Sequence, residues 1–96
     1  MATLHLINKS PGGSDAFGAC LGVIAADDVI LLIEDGVYGA MAGTETGRAL
    51  AHIGAALSAD VEARGLQERL SEGIRIVNDD DFVELCTRCE RVMSWF

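Results

Sequence analysis

Residues Val29 to Ile33 read VILLI, an unbroken aliphatic run rich in β-branched side chains. A strand with one wet face alternates apolar and polar residues, because successive side chains point to opposite faces. A run without alternation fits a central strand covered on both sides, which is characteristic of parallel sheets flanked by helices. The run is too short to cross a bilayer as a helix. Glu34-Asp35-Gly36 follow it as a turn signal.

Other segments repeat the alternation of strand and helix. Thr3 to Ile7 is a strand, and Asn8 to Gly13 is a loop broken by Pro11, Gly12 and Gly13. Ser14 is placed to cap a first helix, with Asp15 suited to its positive end. Phe17, Cys20, Leu21 and Ile24 share one face of that helix. Val37 to Met41 reads as an apolar loop, and Thr44 to about Ala51 as a helix with Thr44 as N-cap. His52 to Ser58 is a weak strand, since Gly and Ala pack poorly in sheets. Asp60 to Gly65 is a short helix stopped by glycine, and Ile74 to Val77 is a last strand. Asn78 and three aspartates open a helix to about Arg91, with Phe82, Leu85, Cys86 and Cys89 on its inward face. The ending Val92 to Phe96 is expected to dock on the body, because free aromatics in water are unfavourable. No linker or repeat divides residues 1–96, so one α/β domain with a mostly parallel sheet is expected.

Charge narrows the partners. Seven basic against fifteen acidic residues give −8. Nucleic-acid binding depends on Lys and Arg releasing counterions, so direct RNA or DNA binding is disfavoured. Half the residues are apolar and the mean hydropathy is +0.30. In a domain this small such a composition predicts an apolar patch used for assembly. MATLHLINKSPGG has no basic segment ahead of a long apolar stretch, so neither an export signal nor a membrane span is expected. Three cysteines without an export signal suit a reducing cytoplasm.

Three motifs could carry chemistry. Cys86-Thr-Arg-Cys89 is a CxxC, but reactive CxxC pairs sit at helix N-termini, where the dipole favours thiolate. Here the pair lies well inside a helix, so packing is the expected role. No second ligand pair complements it, so no zinc site is expected. Ser10 to Ser14 lies between a strand and a helix but lacks the glycine spacing and lysine of a phosphate loop. Glu34 and Asp35 end the central strand, where open α/β sheets place ligands, and a solvated turn explains them equally well. For Cys20, its place on the apolar face of the first helix favours a small core residue over a presented sulfur.

Taken in order, LHLINKSP, ILLIEDGVYGA, ADVEARGL, DDFVELC and VMSW resemble one family across essentially all 96 residues. The chain is similar to DsrH/TusB-type proteins, small subunits of the DsrEFH and TusBCD sulfur-relay complexes. The resemblance implies a three-layer α/β/α sandwich and a cytoplasmic heterohexamer with DsrE/TusD-like and DsrF/TusC-like subunits. It implies sulfur carried as a cysteine persulfide and passed to a DsrC/TusE-type acceptor, without a cofactor. The principal sulfur-accepting cysteine then belongs to the DsrE/TusD-like subunit. Cys20 matches a first-helix cysteine of DsrH-type members and becomes a candidate persulfide carrier. Its presence points to the sulfur-oxidation branch over the tRNA-thiolation branch. Two alternatives stand beside this: a non-catalytic structural subunit, and a stand-alone dithiol redox protein using Cys86 and Cys89.

Overall fold

Five strands form one parallel sheet: β1 (Thr3–Ile7), β2 (Val29–Leu32), β3 (Gly54–Leu57), β4 (Arg75–Val77) and β5 (Arg91–Trp95). The computed structural model describes residues 2–13 and 15–96. The strand order is β4-β3-β2-β1-β5, and every pairing is parallel. The chain steps outward from β1 to β4, then returns to the far side of β1. The VILLI run supplies β2, the central strand of the five, with Ile30, Leu31 and Leu32 all buried. Each such side chain contributes about 1.5–3 kcal/mol when taken from water. Leaving either face bare would forfeit part of that gain, so both faces are covered.

Helices α1 (Ala16–Leu21), α2 (Glu45–Leu50) and α3 (Ser58–Ala63) supply one cover. Ile7, Phe17, Cys20, Ile30, Leu50 and Val61 meet in the core beneath them. Helix α4 (Asp79–Arg88) lies over the other face, where Leu4, Leu6, Leu31, Val77 and Leu85 pack together. The result is the three-layer α/β/α sandwich expected from the sequence.

Local chemistry accounts for most boundaries. Thr44 caps α2, its Oγ1 accepting the Gly47 N–H at 3.0 Å. Asn78 and Asp81 form a reciprocal capping box that starts α4. The Ser14 cap lies outside the described residues. Asp15 stands at the cap position of α1 without a side-chain cap bond. The turn and loop expected over residues 34–41 wind instead as a 3₁₀ helix, Glu34–Ala40. Its glycines permit close approach: a Cβ on Gly36 would overlap the Ile7 carbonyl oxygen, and one on Gly39 the Phe17 ring. His52 is not in a strand; it takes a φ of 67° just before β3. The largest departure is at the end of the sequence. Helix α4 stops at Arg88, and Arg91–Trp95 is a fifth strand rather than a docked tail.

A buried polar network fixes that strand. Asp28, in the loop before β2, accepts the Thr3 N–H on Oδ1 at 3.0 Å and the Ala25 N–H on Oδ2 at 2.9 Å. The His5 Nε2 lies 2.9 Å from the same Oδ2, and the Trp95 Nε1–H donates to His5 Nδ1 at 3.1 Å. An indole nitrogen can only donate, so Nδ1 accepts and the ring hydrogen sits on Nε2. The two rings also stack, centroids 6.1 Å apart. First the Ala25 N–H, then the His5 ring and the Thr3 N–H, hold the Asp28 carboxyl down at about 2.

Because the folded chain protonates Asp28 less readily than the unfolded chain, this contribution is complete above about pH 4 and is lost as pH falls toward 2. Urea midpoints measured across pH 2 to 6 should show that acid-side decline. Asp28→Asn should be less stable at pH 6 and should lack the part of the decline that belongs to this carboxyl.

Candidate functional site

At the carboxyl ends of β1 and β2 the chain opens a cleft of about 990 Å³. The 3₁₀ turn Pro11–Gly13 and α1 form one wall. Tyr38 from the second 3₁₀ helix and Thr44, Glu45 and Ala49 around α2 form the other, with Phe17 and Leu21 between them. Carboxyl ends of strands are where open α/β sheets present ligands. Gly39 is what lets the 3₁₀ helix seat against Phe17.

Cys20 stands on the same helix as Phe17 but faces away from the cleft. It is fully buried among Ile7, Ile30 and Leu32. Burial, then the nearby Asp28 charge, push its thiol up to about 11. At pH 7 about one molecule in ten thousand would carry the thiolate, the form that attacks a persulfide. In this conformation Cys20 is a small core residue. Using it as a carrier requires α1 to move off the sheet.

The other cysteines are distributed differently from expectation. Cys86 is exposed on α4, whereas inward packing was expected; Cys89 is 6% exposed and caps the C-terminal end of the helix. Leu85 and Cys89 are four positions apart and both align with the core, while Cys86 lies about 100° around the helix from Leu85. The CxxC therefore sits at the negative end of the α4 dipole, opposite to the end that favours thiolate. Among the described residues, no group of three His, Cys, Asp or Glu side chains could hold a metal ion.

Glu34 and Asp35 reach the end of β2 as expected, and neighbours engage them. Arg64 donates to Asp35 Oδ1 from Nε at 3.1 Å and from Nη2 at 3.0 Å. Asp60 Oδ2 accepts the Glu34 N–H at 2.7 Å, where Glu34 adopts a left-handed φ of 49°. The histidines are committed elsewhere: His5 to Asp28 and Trp95, and exposed His52 to a place over Gly73 where no Cβ would fit. Asp28 and Tyr38 were not singled out from the sequence. Asp28 acts on residues 23 and 25 positions before it, which no local pattern signals.

These features define a class: a small parallel α/β/α domain with a cleft at its strand ends and its first-helix cysteine sealed. The family described as DsrH like protein matches residues 9–92, and the chain belongs to that family. Curated relatives named Protein TusB agree over nearly the whole chain. Those of Erwinia tasmaniensis and Photorhabdus laumondii are 38% and 35% identical over 95 residues, covering 96% of this chain and 99% of each relative. The Protein TusB of Escherichia coli strain K12 / DH10B is 34% identical over the same length, with the same coverage. The crystal structure of ychN protein from E. coli superposes with a TM-score of 0.70 at 14% identity, covering 98% of this chain and 99% of that one. That likeness concerns the fold alone. No described helix is long and apolar enough to cross a membrane.

Alkylation at neutral pH under native conditions should modify Cys86 readily and leave Cys20 untouched, with all three thiols reacting after unfolding. Peptide mass mapping would check the order. Equal rates for Cys20 and Cys86 would contradict the sealed position.

Proposed function

We propose that this chain is a supporting subunit of a cytoplasmic sulfur-relay complex of the TusBCD kind. Its partners are a DsrE/TusD-like and a DsrF/TusC-like subunit, and the sulfur leaves toward a DsrC/TusE-type acceptor. The observation that carries the reading is the near full-length similarity to proteins named TusB. That similarity favours the tRNA-thiolation branch over the sulfur-oxidation branch to which Cys20 pointed.

Within the complex, the persulfide cysteine is assigned to the DsrE/TusD-like partner. Relay requires a thiolate that takes the outer sulfur of a persulfide and releases the donor as a thiolate. A thiol at about 11 with no exposure is a poor attacker. The chain's contribution is then architectural: it completes the assembly and shapes the surface on which the acceptor docks. The cleft between α1 and α2, with Tyr38 at its mouth, belongs to that surface.

The carrier role for Cys20 remains the second reading, favoured by one observation. Gly18 and Leu21, close to Cys20 in α1, both line the cleft, so the helix that must move off the sheet to expose the sulfur already borders that cleft.

Reconstitution with the two partner subunits, a persulfide donor and the acceptor separates the two. Sulfur on each chain is followed by intact mass. The supporting role predicts that Cys20→Ser leaves the transfer rate within about twofold and that no sulfur accumulates on this chain. A loss of tenfold or more, with persulfide found on wild-type Cys20, would move the step onto it. Failure to assemble with either partner would remove the relay reading itself.

A further inference from the structure

Cys86 and Cys89 have no part in the relay reading, and the structure sets them one turn apart at the end of α4. The helix stops at Arg88 with Cys89 as its C-cap. Cys86 is exposed, whereas Cys89 is buried in the core with Leu4, Leu6 and Leu85. The Cys89 N–H still reaches the Leu85 carbonyl at 3.0 Å, so its Cα keeps the helical position. Residues three apart on a helix have Cα atoms about 5 Å apart and Cβ atoms about 5–6 Å apart. A disulfide accepts Cα atoms about 4.4–6.8 Å apart but draws the Cβ atoms to about 3.5–4.5 Å. Closure therefore asks the two Cβ atoms to approach by about 1–2 Å. A helix interior resists such a shift, because hydrogen bonds fix the backbone on both sides. Here one partner is the residue at which the helix ends: Cys89 turns to extended backbone, with a ψ of 137°. Immediately beyond it the Glu90 N–H bonds the Ala2 carbonyl at 3.0 Å, and β5 begins at Arg91.

The contrast in exposure gives the two sulfurs different parts. Thiol oxidation starts at an accessible sulfur and is completed by a resolving cysteine close by. We propose that Cys86 and Cys89 are a redox-sensitive pair that closes to an intramolecular disulfide on exchange with a small-molecule disulfide, and that closure loosens the junction of α4 with β5. The Cys86 thiolate attacks one sulfur of the small disulfide, forms a mixed disulfide and releases one thiolate. Cys89, as its thiolate, then attacks the Cys86 sulfur and releases the second. The chain gives up two electrons and two protons, and the small disulfide leaves as two thiols. Drawing Cys89 toward Cys86 takes its sulfur out of the core and pulls on Glu90, so the bond to Ala2 and the start of β5 loosen. The far end of β5 stays held by the bond from Trp95 to His5. The pair stands at the helix end that disfavours thiolate, so exchange is slow and follows the redox poise; that separates it from a dithiol catalyst. The inference goes beyond the relay reading and does not depend on it.

Equilibrating the reduced full chain with mixtures of glutathione and glutathione disulfide tests it, with acid quenching, intact mass and peptide mapping. Trypsin cuts after Arg88, between the two cysteines, so linked peptides identify the bond. The wild type should lose two hydrogens as the disulfide share rises, with Cys86 joined to Cys89 and Cys20 free, and dithiothreitol should restore the reduced mass. Cys89→Ala lacks the resolving thiol and should accumulate the glutathione adduct on Cys86 at least about tenfold above wild type. A further measurement needs no substitution: the Glu90 and Arg91 amides of oxidised wild type should exchange at least about tenfold faster than those of the reduced chain. A wild type that stops at the glutathione adduct, a disulfide formed between chains or with Cys20, or exchange at Glu90 unchanged by oxidation would each overturn the proposal.

Discussion

The carboxylate of Asp28 gathers groups that are far apart in sequence: the N–H of Thr3 at the start of β1, the N–H of Ala25 and the ring of His5. His5, 2% exposed, would carry a costly unsatisfied ring into the interior without both of its partners. Asp28 satisfies one nitrogen and Trp95 the other. That second bond joins residues 90 positions apart and holds the end of β5 against β1. The same carboxylate places a negative charge near Cys20 and adds to the burial that keeps its thiol protonated. One buried anion thus links the seating of the outer strand to the inertness of the cysteine.

Much of the fold was legible because its signals are local. The VILLI run requires cover on both faces, and it lies inside the sheet with helices on either side. Thr44 and Asn78 announce α2 and α4 through caps that span three residues. The Phe17 and Cys20 face of α1 packs inward as its spacing demands. What escaped depends on distant partners. Arg91–Trp95 has no strand signature of its own; it becomes β5 because β1 offers an open edge and His5 a hydrogen-bond acceptor. Residues 34–40 wind tightly because Gly36 and Gly39 can touch Ile7 and Phe17, a condition visible only once both are placed. Cys86 turns outward because α4 presents a single narrow apolar line, set by Leu85 and Cys89, to the sheet.

The candidate site was legible in part. The end of β2 was weighed as a place for a ligand against a solvated turn, and the loop after β1 read as a plain crossover without a phosphate-loop pattern; the cleft opens beside both. Its far wall, Tyr38 and the start of α2, comes from segments whose approach to α1 follows from packing rather than pattern. Cys20 was recognised as the residue to decide upon, and periodicity alone could not choose between packing and presentation. Burial in the core and a thiol at about 11 make Cys20 a packing residue in this structure. A sulfur poised for attack would need exposure and a cationic neighbour, and Asp28 supplies the opposite charge.

The network around Asp28 is the claim on which this account turns, and the ring nitrogens of His5 report on it directly. A long-range ¹⁵N–¹H correlation spectrum at neutral pH should show His5 with its hydrogen on Nε2 and with Nδ1 bare, accepting from the Trp95 indole. A hydrogen on Nδ1 would leave the indole without its acceptor and β5 without its anchor, contradicting the account.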